Sequence, residues 1–213
     1  MSLKLYSHPL SSFCWKVLIA LYEADIPFEH VTVDLMDPAK RADYLKLSPF
    51  GKIPTLVDGD RVVNETSIQI EYLTMKYSKA ASLLPKDSVE ALKVRALDRF
   101  FDLYLNAPLG RIAGDRMRPE AQRDTIGVAQ VMRDLRTAVS IVEKDMADRT
   151  WAAGDAFTMA DCAAAPALFY VNKLVPYAPD FPNTARYLDR LQKRPSVAWA
   201  IEEAKPYLHL VPY

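Results

Sequence analysis

The chain has 213 residues, half of which are hydrophobic, and 27 basic residues balance 27 acidic ones, so the formal net charge is zero. A chain of this length holds one large domain or two small ones. No basic stripe is present, which argues against nucleic acid as a partner. No apolar run approaches the roughly 20 residues that span a membrane, and we expect no membrane partner.

Cysteine and histidine usage predicts a reduced protein without a metal. Cys14 and Cys162 lie far apart in the sequence, which is not the pattern of a disulfide scaffold. The N-terminal residues lack the apolar core of a signal peptide, and we therefore expect a cytoplasmic location. The three histidines, His8, His30 and His209, do not have the spacing of metal ligands.

The first 77 residues predict alternating strands and helices. Strands are indicated by alternating apolar residues, and helices by apolar residues three and four positions apart. In chain order the predicted elements are a strand at 3–6, a helix at 15–24, a strand at 28–35, a short helix from Pro38 to near Leu47, a hairpin turning at Asp58 and Gly59, and a helix from Thr66 to about Tyr77.

The rest of the chain reads as helical. Residues 78–86 have the composition of a linker, and residues 87–107 and 120–147 are long and helix-favouring. Shorter helical pieces separated by glycine and proline follow Trp151. We therefore expect an α/β domain over 1–77, a linker over 78–86 and an all-helical domain over 87–213.

The most informative stretch reads LKLSPFGKIPTLVDGD, at residues 45–60, with Glu65 and Thr66 shortly after it. Its Pro49 and Gly51 mark a turn. Ile53–Pro54 is the one kind of peptide bond that becomes cis at low cost. A cis bond there would aim the backbone N–H and C=O of Ile53 outward, where an extended peptide could pair with them.

This stretch resembles the glutathione-binding half of the glutathione S-transferase superfamily, and residues 154–165 resemble a motif of its helical half. The resemblance implies an α/β thioredoxin-like N-terminal domain plus an all-α C-terminal domain. It also implies glutathione as co-substrate and a homodimer. We therefore expect an enzyme that activates the glutathione thiolate for attack on a small hydrophobic electrophile.

The turn between the first strand and the first helix carries the expected catalytic residue. A helix N-terminus favours negative charge. Counted back from Lys16 and Val17, Ser11 occupies the position of the catalytic serine in serine-type members of the superfamily. Its hydroxyl would donate to the glutathione sulfur and lower the thiol pKa. Alternatively, Ser11 is an N-cap and Ser12 is the donor.

Cys14 follows Ser11 at the spacing of a redox C-x-x-C motif whose first cysteine is replaced by serine. At the first turn of a helix, Cys14 could have a lowered pKa and form a mixed disulfide with glutathione. Free cysteine is more often a small buried hydrophobe, and we favour that interpretation.

The resemblance also assigns the glutathione-binding residues. The usual pair in the superfamily is Glu-Ser, and here Glu65 is followed by Thr66. Glu65 suits the ammonium of the γ-glutamyl group, while Thr66 and the helix N-terminus suit its α-carboxylate. Lys52 suits the glycyl carboxylate, and Ile53–Pro54 the peptide backbone. The competing interpretation makes Thr66 a plain N-cap and leaves Glu65 in solvent.

Other assignments concern the helical half and the subunit contact. Thr158 and Asp161 form a predicted capping box. Phe50 lies where some classes insert an aromatic side chain into the partner subunit, although a local core role is equally compatible. The tail from Tyr207 to Tyr213 could fold over the electrophile pocket. An aromatic stripe is more often core than pocket, but the candidate pocket residues are Phe100, Phe101, Tyr104 and Leu105 on the first long helix, together with Arg111.

Three alternative functions remain at this point. Ser11-Ser12 followed by Trp15 resembles the zeta class, whose members are glutathione-dependent isomerases, but Phe13 stands where that class has cysteine. A peroxidase would use the same thiolate. A non-catalytic module of the same fold would bind proteins or hydrophobic ligands, although such a module has no need of the glutathione-binding residues.

Overall fold

The computed structural model describes residues 3–212, which form a small mixed sheet with flanking helices, followed by a helical C-terminal domain. The sheet has the strand order β2-β1-β3-β4, with β1 parallel to β2 and antiparallel to β3. β3 and β4 form the predicted hairpin. The expected thioredoxin-like fold is confirmed. The strands are β1 (Leu3–Ser7), β2 (Glu29–Thr32), β3 (Thr55–Asp58) and β4 (Arg61–Val63).

Helices make up most of the remaining structure. The α-helices are α1 (Ser12–Glu23), α2 (Pro38–Tyr44), α3 (Thr66–Lys76), α4 (Ser88–Phe100), α5 (Ala107–Arg116), α6 (Thr125–Asp145), α7 (Met159–Val171), α8 (Pro182–Gln192) and α9 (Pro195–Ala204). A π-helical segment, Phe101–Asn106, joins α4 to α5. Short 3-10 helices cover Ser78–Leu83, Glu120–Gln122 and Lys205–Leu210. Within residues 3–212, no helix combines the length and apolar character that a membrane span requires.

The first helix begins earlier than its apolar spacing predicts. α1 begins at Ser12, whereas the sequence pattern placed its start at Trp15. The side chain of Ser11 accepts a hydrogen bond from the Cys14 N–H and so caps the helix. The cap satisfies a backbone donor that has no partner inside the helix. Apolar periodicity cannot reveal this first turn, because its residues need not face the core.

Two other elements are shorter than predicted. β2 covers Glu29–Thr32 within the predicted 28–35, and α2 ends at Tyr44, before the predicted Leu47. Residues 45–47 instead form a turn.

The first long helix of the C-terminal domain extends past its predicted end. The pattern predicted 87–107, whereas α4, the π-helical segment and α5 continue to Arg116. Pro108 lies in the first turn of α5, where a missing N–H is tolerated. The second long helix begins at Thr125, after the predicted residue 120, because the Asp124 side chain accepts from the Gly127 N–H and caps it.

The core joins the two halves of the chain and fixes the loop before α1. Trp15 is fully buried, and its ring centroid lies 5.0 Å from that of Phe169 in α7. Its Nε1–H donates to the Pro9 carbonyl at 2.5 Å. The Tyr170 hydroxyl, also from α7, donates to the Leu10 carbonyl at 3.0 Å. Side chains from both halves therefore hold the backbone that presents Ser11.

The predicted capping box at the start of α7 is confirmed. Asp161 Oδ2 accepts from the Thr158 N–H at 2.9 Å, and the Thr158 side chain accepts from the first turn of the helix. Asp161 Oδ1 also accepts from the Ala152 N–H at 2.8 Å and from the Tyr187 hydroxyl at 2.6 Å. The box therefore links α7 to the preceding loop and to α8.

Candidate functional site

A cleft of about 690 Å³ lies where α1 and α3 begin, beside the loop before β3 and against the wall formed by α4, the π-helical segment and α5. The cleft contains every residue that the sequence assigned to the site. Those residues are Ser11, Lys52, Ile53, Pro54, Glu65 and Thr66. The structure therefore brings together segments that lie up to 55 positions apart in the chain (66 − 11).

Ser11 can serve both as an N-cap and as a hydrogen-bond donor to a ligand, two roles that were alternatives in the interpretation of the sequence. Its Oγ accepts from the Cys14 N–H at 3.3 Å, so Ser11 is the N-cap of α1. A hydroxyl has one hydrogen to donate and two lone pairs, so the capping bond does not use its hydrogen. Capping and donation to a ligand are compatible at this position. Ser12, the first residue of α1, lines the same cleft.

Cys14 is poorly suited to thiolate chemistry. Its side chain is fully buried, and its Sγ accepts from the His8 N–H at 3.5 Å. Burial raises the pKa of the thiol to about 12, although the hydrogen bond with Ser11 lowers it in part. The interpretation of Cys14 as a small buried hydrophobe is confirmed, and the mixed-disulfide alternative is not supported.

The loop before β3 is held by side chains that were not predicted from the sequence. The peptide bond between Ile53 and Pro54 is cis. The Lys52 carbonyl accepts from the Tyr44 hydroxyl at 2.6 Å and from Ser48 Oγ at 2.8 Å. Fully buried Gln69 donates to the Pro54 carbonyl at 2.9 Å. The presence of polar residues close to a recognised motif is the sequence signal that could have indicated these hydrogen bonds.

Glu65 has an unusual backbone conformation. It is the N-cap of α3, with φ of 67° and ψ of 114°, and its side chain makes no capping hydrogen bond. Positive φ is uncommon for a residue other than glycine, and such conformations cost about 1–3 kcal/mol. The interpretation of Thr66 as the N-cap is wrong, since Thr66 is the first helical residue and is buried. The exposed Glu65 lines the cleft.

A buried ionic cluster that no sequence pattern predicted lies behind the cleft. Lys16 Nζ lies 2.6 Å from Asp98 Oδ1, 2.7 Å from Asp102 Oδ2 and 3.0 Å from Ser67 Oγ. Burial raises the pKa of Asp102, and the charge of Lys16 lowers it in part. Arg99 lies 3.6 Å from Asp102 at the cleft. A lysine within the apolar run of α1 was the available sequence signal.

The four apolar pocket candidates on the first long helix do not line the cleft, and the core interpretation is confirmed for two of them. Phe101 and Leu105 belong to the core, and neither they nor Phe100 and Tyr104 line the cleft. The adjacent face of the same helical run lines the cleft instead. Arg111 is the one predicted pocket residue on that face. The residues of the run that line the cleft are Arg99, Asp102, Leu103, Asn106, Ala107, Leu109, Gly110, Arg111 and Ala113.

Two further assignments are resolved in part. The tail does turn back toward the loop before α1, where the Tyr207 and His8 rings meet edge to face at 5.4 Å, but its described residues, 207–212, do not line the cleft. Tyr213 lies outside the described residues. Phe50 is 90% exposed, so the proposed core role within its own subunit is wrong.

A four-stranded mixed sheet, a helical domain and a cleft between them define the general class of this protein, and comparison with known proteins gives the family. Residues 5–81 match the family described as "Glutathione S-transferase, N-terminal domain", and residues 95–195 match "Glutathione S-transferase, C-terminal domain". Glutathione S-transferase 3 of Zea mays is 37% identical over 172 residues, 78% of each chain. The chain belongs to the glutathione S-transferase family.

Other similar proteins include one with a different named activity. A probable maleylacetoacetate isomerase of Caenorhabditis elegans is 27% identical and covers 95% of this chain and 94% of its own. Among solved structures, a glutathione S-transferase of Methylobacterium radiotolerans in complex with glutathione sulfonate is 30% identical, with a TM-score of 0.84. The alignment covers 94% of this chain and 95% of that one.

Proposed function

We propose that this protein uses Ser11 to activate the thiolate of bound glutathione and transfers the glutathionyl group to an electrophile. The position of Ser11 carries the proposal. Its Oγ lies at the N-terminus of α1 in the cleft and already accepts a hydrogen bond from the Cys14 N–H. Its own hydrogen is therefore free to be donated to a sulfur atom.

The cleft offers a complementary group for each end of glutathione. We assign the γ-glutamyl ammonium to Glu65, and the α-carboxylate to the Thr66 hydroxyl and the N-terminus of α3. The glycyl carboxylate is assigned to the exposed side chain of Lys52. The backbone of Ile53, before Pro54, pairs with the cysteinyl residue of the ligand. These assignments place the sulfur toward Ser11.

The proposed chemistry is stabilisation of an anion followed by nucleophilic attack. A hydrogen bond from Ser11 and the dipole of α1 both favour the thiolate, so they lower the thiol pKa. A shift of about two units corresponds to roughly 2.7 kcal/mol. The sulfur then forms a bond to the electrophilic carbon, the leaving group departs with its bonding electron pair, and the thiol proton goes to solvent.

The test is the ultraviolet absorbance of bound glutathione thiolate as a function of pH. We expect a lowered thiol pKa in the wild type and in Ser12→Ala, and an almost normal pKa in Ser11→Ala. Loss of the shift in Ser12→Ala alone would identify Ser12 as the donor and overturn the assignment. Binding of glutathione without a shift in any of the three proteins would favour the non-catalytic module.

Isomerisation is a second candidate function, favoured by the similarity to the probable maleylacetoacetate isomerase. The same thiolate would add to a carbon–carbon double bond, rotation would occur about the resulting single bond, and elimination would regenerate glutathione. A transferase consumes one glutathione for each product molecule, whereas an isomerase consumes none. Measuring the loss of free thiol alongside product formation separates the two reactions.

The protein is also proposed to be a cytoplasmic homodimer. Phe50 is 90% exposed, and burial of a side chain of this size in a partner subunit is expected to stabilise the dimer. Both cysteines are free and buried, which suits a reducing compartment. The domain boundary is proposed to lie at 78–86, where the 3-10 helix Ser78–Leu83 connects α3 to the helical domain.

A further inference from the structure

Three cationic side chains line the cleft, but glutathione has only two carboxylates to pair with them. They are Lys52, Arg99 and Arg111. If glutathione binds as proposed, its glycyl carboxylate is matched by Lys52. Its γ-glutamyl carboxylate lies at the start of α3, close to Arg99, whose Nη1 is 3.4 Å from Ser67 Oγ. Arg111 is therefore left without a counterpart on glutathione.

Arg111 also lacks a counterpart on the protein. Among residues 3–212 it has no hydrogen-bond or ion-pair partner, whereas Arg99 lies 3.6 Å from Asp102. Arg111 also lines a second cavity of about 290 Å³, whose walls include two carboxylates, Asp115 and Asp124. Both already have partners.

The contacts of those two carboxylates are specific. Asp115 Oδ1 accepts from the Asp124 N–H at 2.7 Å and lies 3.5 Å from the Arg118 guanidinium. Asp124 Oδ1 accepts from the Gly127 N–H at 2.8 Å, as the cap of α6. Neither carboxylate is needed to neutralise Arg111, so its guanidinium is available to a ligand in the cleft.

The wall beside Arg111 has room for such a ligand. A Cβ atom placed on the preceding Gly110 would meet no heavy atom within 4 Å. Arg111 is twelve residues after Arg99, which corresponds to at most about 18 Å along the helical run at the α-helical rise of about 1.5 Å per residue, because part of the run is π-helical. An anion at Arg111 would therefore not compete with the γ-glutamyl carboxylate for space.

Asn106 gives independent evidence that this wall is not shaped for a wholly apolar acceptor. It lines the cleft and is only 1% exposed, and neither its Nδ2 nor its Oδ1 has a hydrogen-bond partner within the described residues. Most buried polar groups are hydrogen-bonded. Asn106 also ends the π-helical segment, and such segments occur frequently at functional sites.

We infer that the electrophile of this enzyme carries a carboxylate, which Arg111 binds while the electrophilic carbon faces the glutathione sulfur. This inference rests on the proposed function and specifies its substrate class. An arginine recognises a carboxylate with two parallel N–H donors. Arg111 is thus a residue that determines specificity, and Ser11 remains the residue that activates the thiol.

The test compares 4-chloro-3,5-dinitrobenzoate with its methyl ester, which has the same leaving group and no charge. In both reactions the thiolate sulfur bonds to C4, chloride leaves with the bonding electron pair and the thiol proton goes to solvent. We expect Arg111→Ala to lower the acid-to-ester ratio of kcat/KM about tenfold, which corresponds to about 1.4 kcal/mol. Arg111→Lys should recover part of that loss, because lysine keeps the charge without the planar fork.

The control is Arg133→Ala, since Arg133 is exposed on α6 and does not line the cleft. This variant should keep the acid-to-ester ratio of the wild type. An unchanged acid-to-ester ratio in Arg111→Ala, including the case in which both substrates lose activity by the same factor, would overturn the inference.

A binding measurement separates failure of this inference from failure of the proposed function. Titration calorimetry would give the Kd of the two S-conjugates of glutathione, one with the free carboxylate and one with the methyl ester. We expect Arg111→Ala to weaken binding of the acid conjugate about tenfold relative to the ester conjugate. This result supports the anion site even if no turnover occurs, in which case the catalytic proposal fails. If the ratio of the two Kd values, acid conjugate to ester conjugate, is the same in the wild type and in Arg111→Ala, the anion site is overturned even if the enzyme is an active transferase.

Discussion

The ammonium of Lys16 in α1 lies 2.6 Å from a carboxylate oxygen of Asp98 in α4, and both side chains are at most 1% exposed. The pair joins the N-terminal domain to the helical domain. Ser67, which follows Thr66 in α3, donates to Asp98 at 2.5 Å, and Asp102 of the same cluster lines the cleft. One buried network therefore supports both the proposed glutathione site and the wall opposite it.

Replacing Lys16 should destabilise the protein strongly. Lys16→Met would leave two buried carboxylates without their central cation, and breaking a buried ion pair costs about 3–5 kcal/mol. Urea denaturation would measure the loss in free energy of unfolding. The matched control is Lys193→Met, since Lys193 pairs with Asp189 on the surface and such pairs contribute little. A similar small loss in both variants would contradict the structural role of the cluster.

The raised pKa of Asp102 predicts a specific pH dependence. Because burial raises its folded-state pKa, folding favours the protonated form, and this carboxyl makes the protein less stable as the pH rises above the unfolded value of about 3.9. The contribution of Asp102 to stability is fully present below the unfolded-state pKa of about 3.9 and is lost as the pH rises through the folded-state pKa. In Asp102→Asn this contribution is absent.

The measurement is the difference in unfolding free energy between the wild type and Asp102→Asn at several pH values. The difference should fall as the pH rises from about 4 and level off above the folded-state pKa. A difference that increases with pH would show that Lys16 dominates and that the folded-state pKa is lowered.

Glu65 is expected to lower the stability of the protein and to strengthen the binding of glutathione. Glu65→Gly would relieve the positive φ, while Glu65→Ala would keep it, so the glycine variant should be the more stable by about 1 kcal/mol. Both variants lack the carboxylate, and each should raise the Kd for glutathione about tenfold or more. Thermal unfolding and calorimetry would measure the two effects. Unchanged glutathione affinity in both variants would remove Glu65 from the proposed site.

Loss of the cap at α7 should affect stability and not substrate choice. Thr158→Ala removes an N-cap side chain and should cost about 1 kcal/mol, whereas Thr158→Ser should retain most of the stability. Asp161→Ala should cost more, because it leaves the Ala152 N–H and the Tyr187 hydroxyl without their acceptor. Melting temperatures would rank the variants. An unchanged melting temperature in Thr158→Ala would contradict the capping role.

The exposed Phe50 should control the association of subunits. We expect the wild type to be a dimer and Phe50→Ala to dissociate at higher protein concentrations, because the alanine variant loses a large buried apolar surface. Light scattering coupled to size-exclusion chromatography would measure this. Trp199→Ala is the matched control, since Trp199 is an aromatic residue 53% exposed on α9. Equal dissociation of both variants would argue against a specific role for Phe50.

The fold and the proposed glutathione site could be predicted from local motifs in the sequence. The turn around Gly51, the Ile53–Pro54 bond and the capping box at Thr158 are local motifs, whose geometry depends on a few neighbouring residues. Such motifs are readable in one dimension. Together with the family resemblance they led to six candidate site residues, all of which line the cleft. The roles of these residues stay proposals, as does the boundary at 78–86.

The helical face that forms the opposite wall of the cleft could not be predicted from the sequence. Phe101 points into the core, while Asn106 and Arg111 line the cleft. Similarly, Lys16 and Asp102 meet across 86 positions of sequence. Both results depend on the packing of one helix against another. Packing fixes the rotation of each helix about its axis and the partners of each buried charge, and neither is encoded by local spacing.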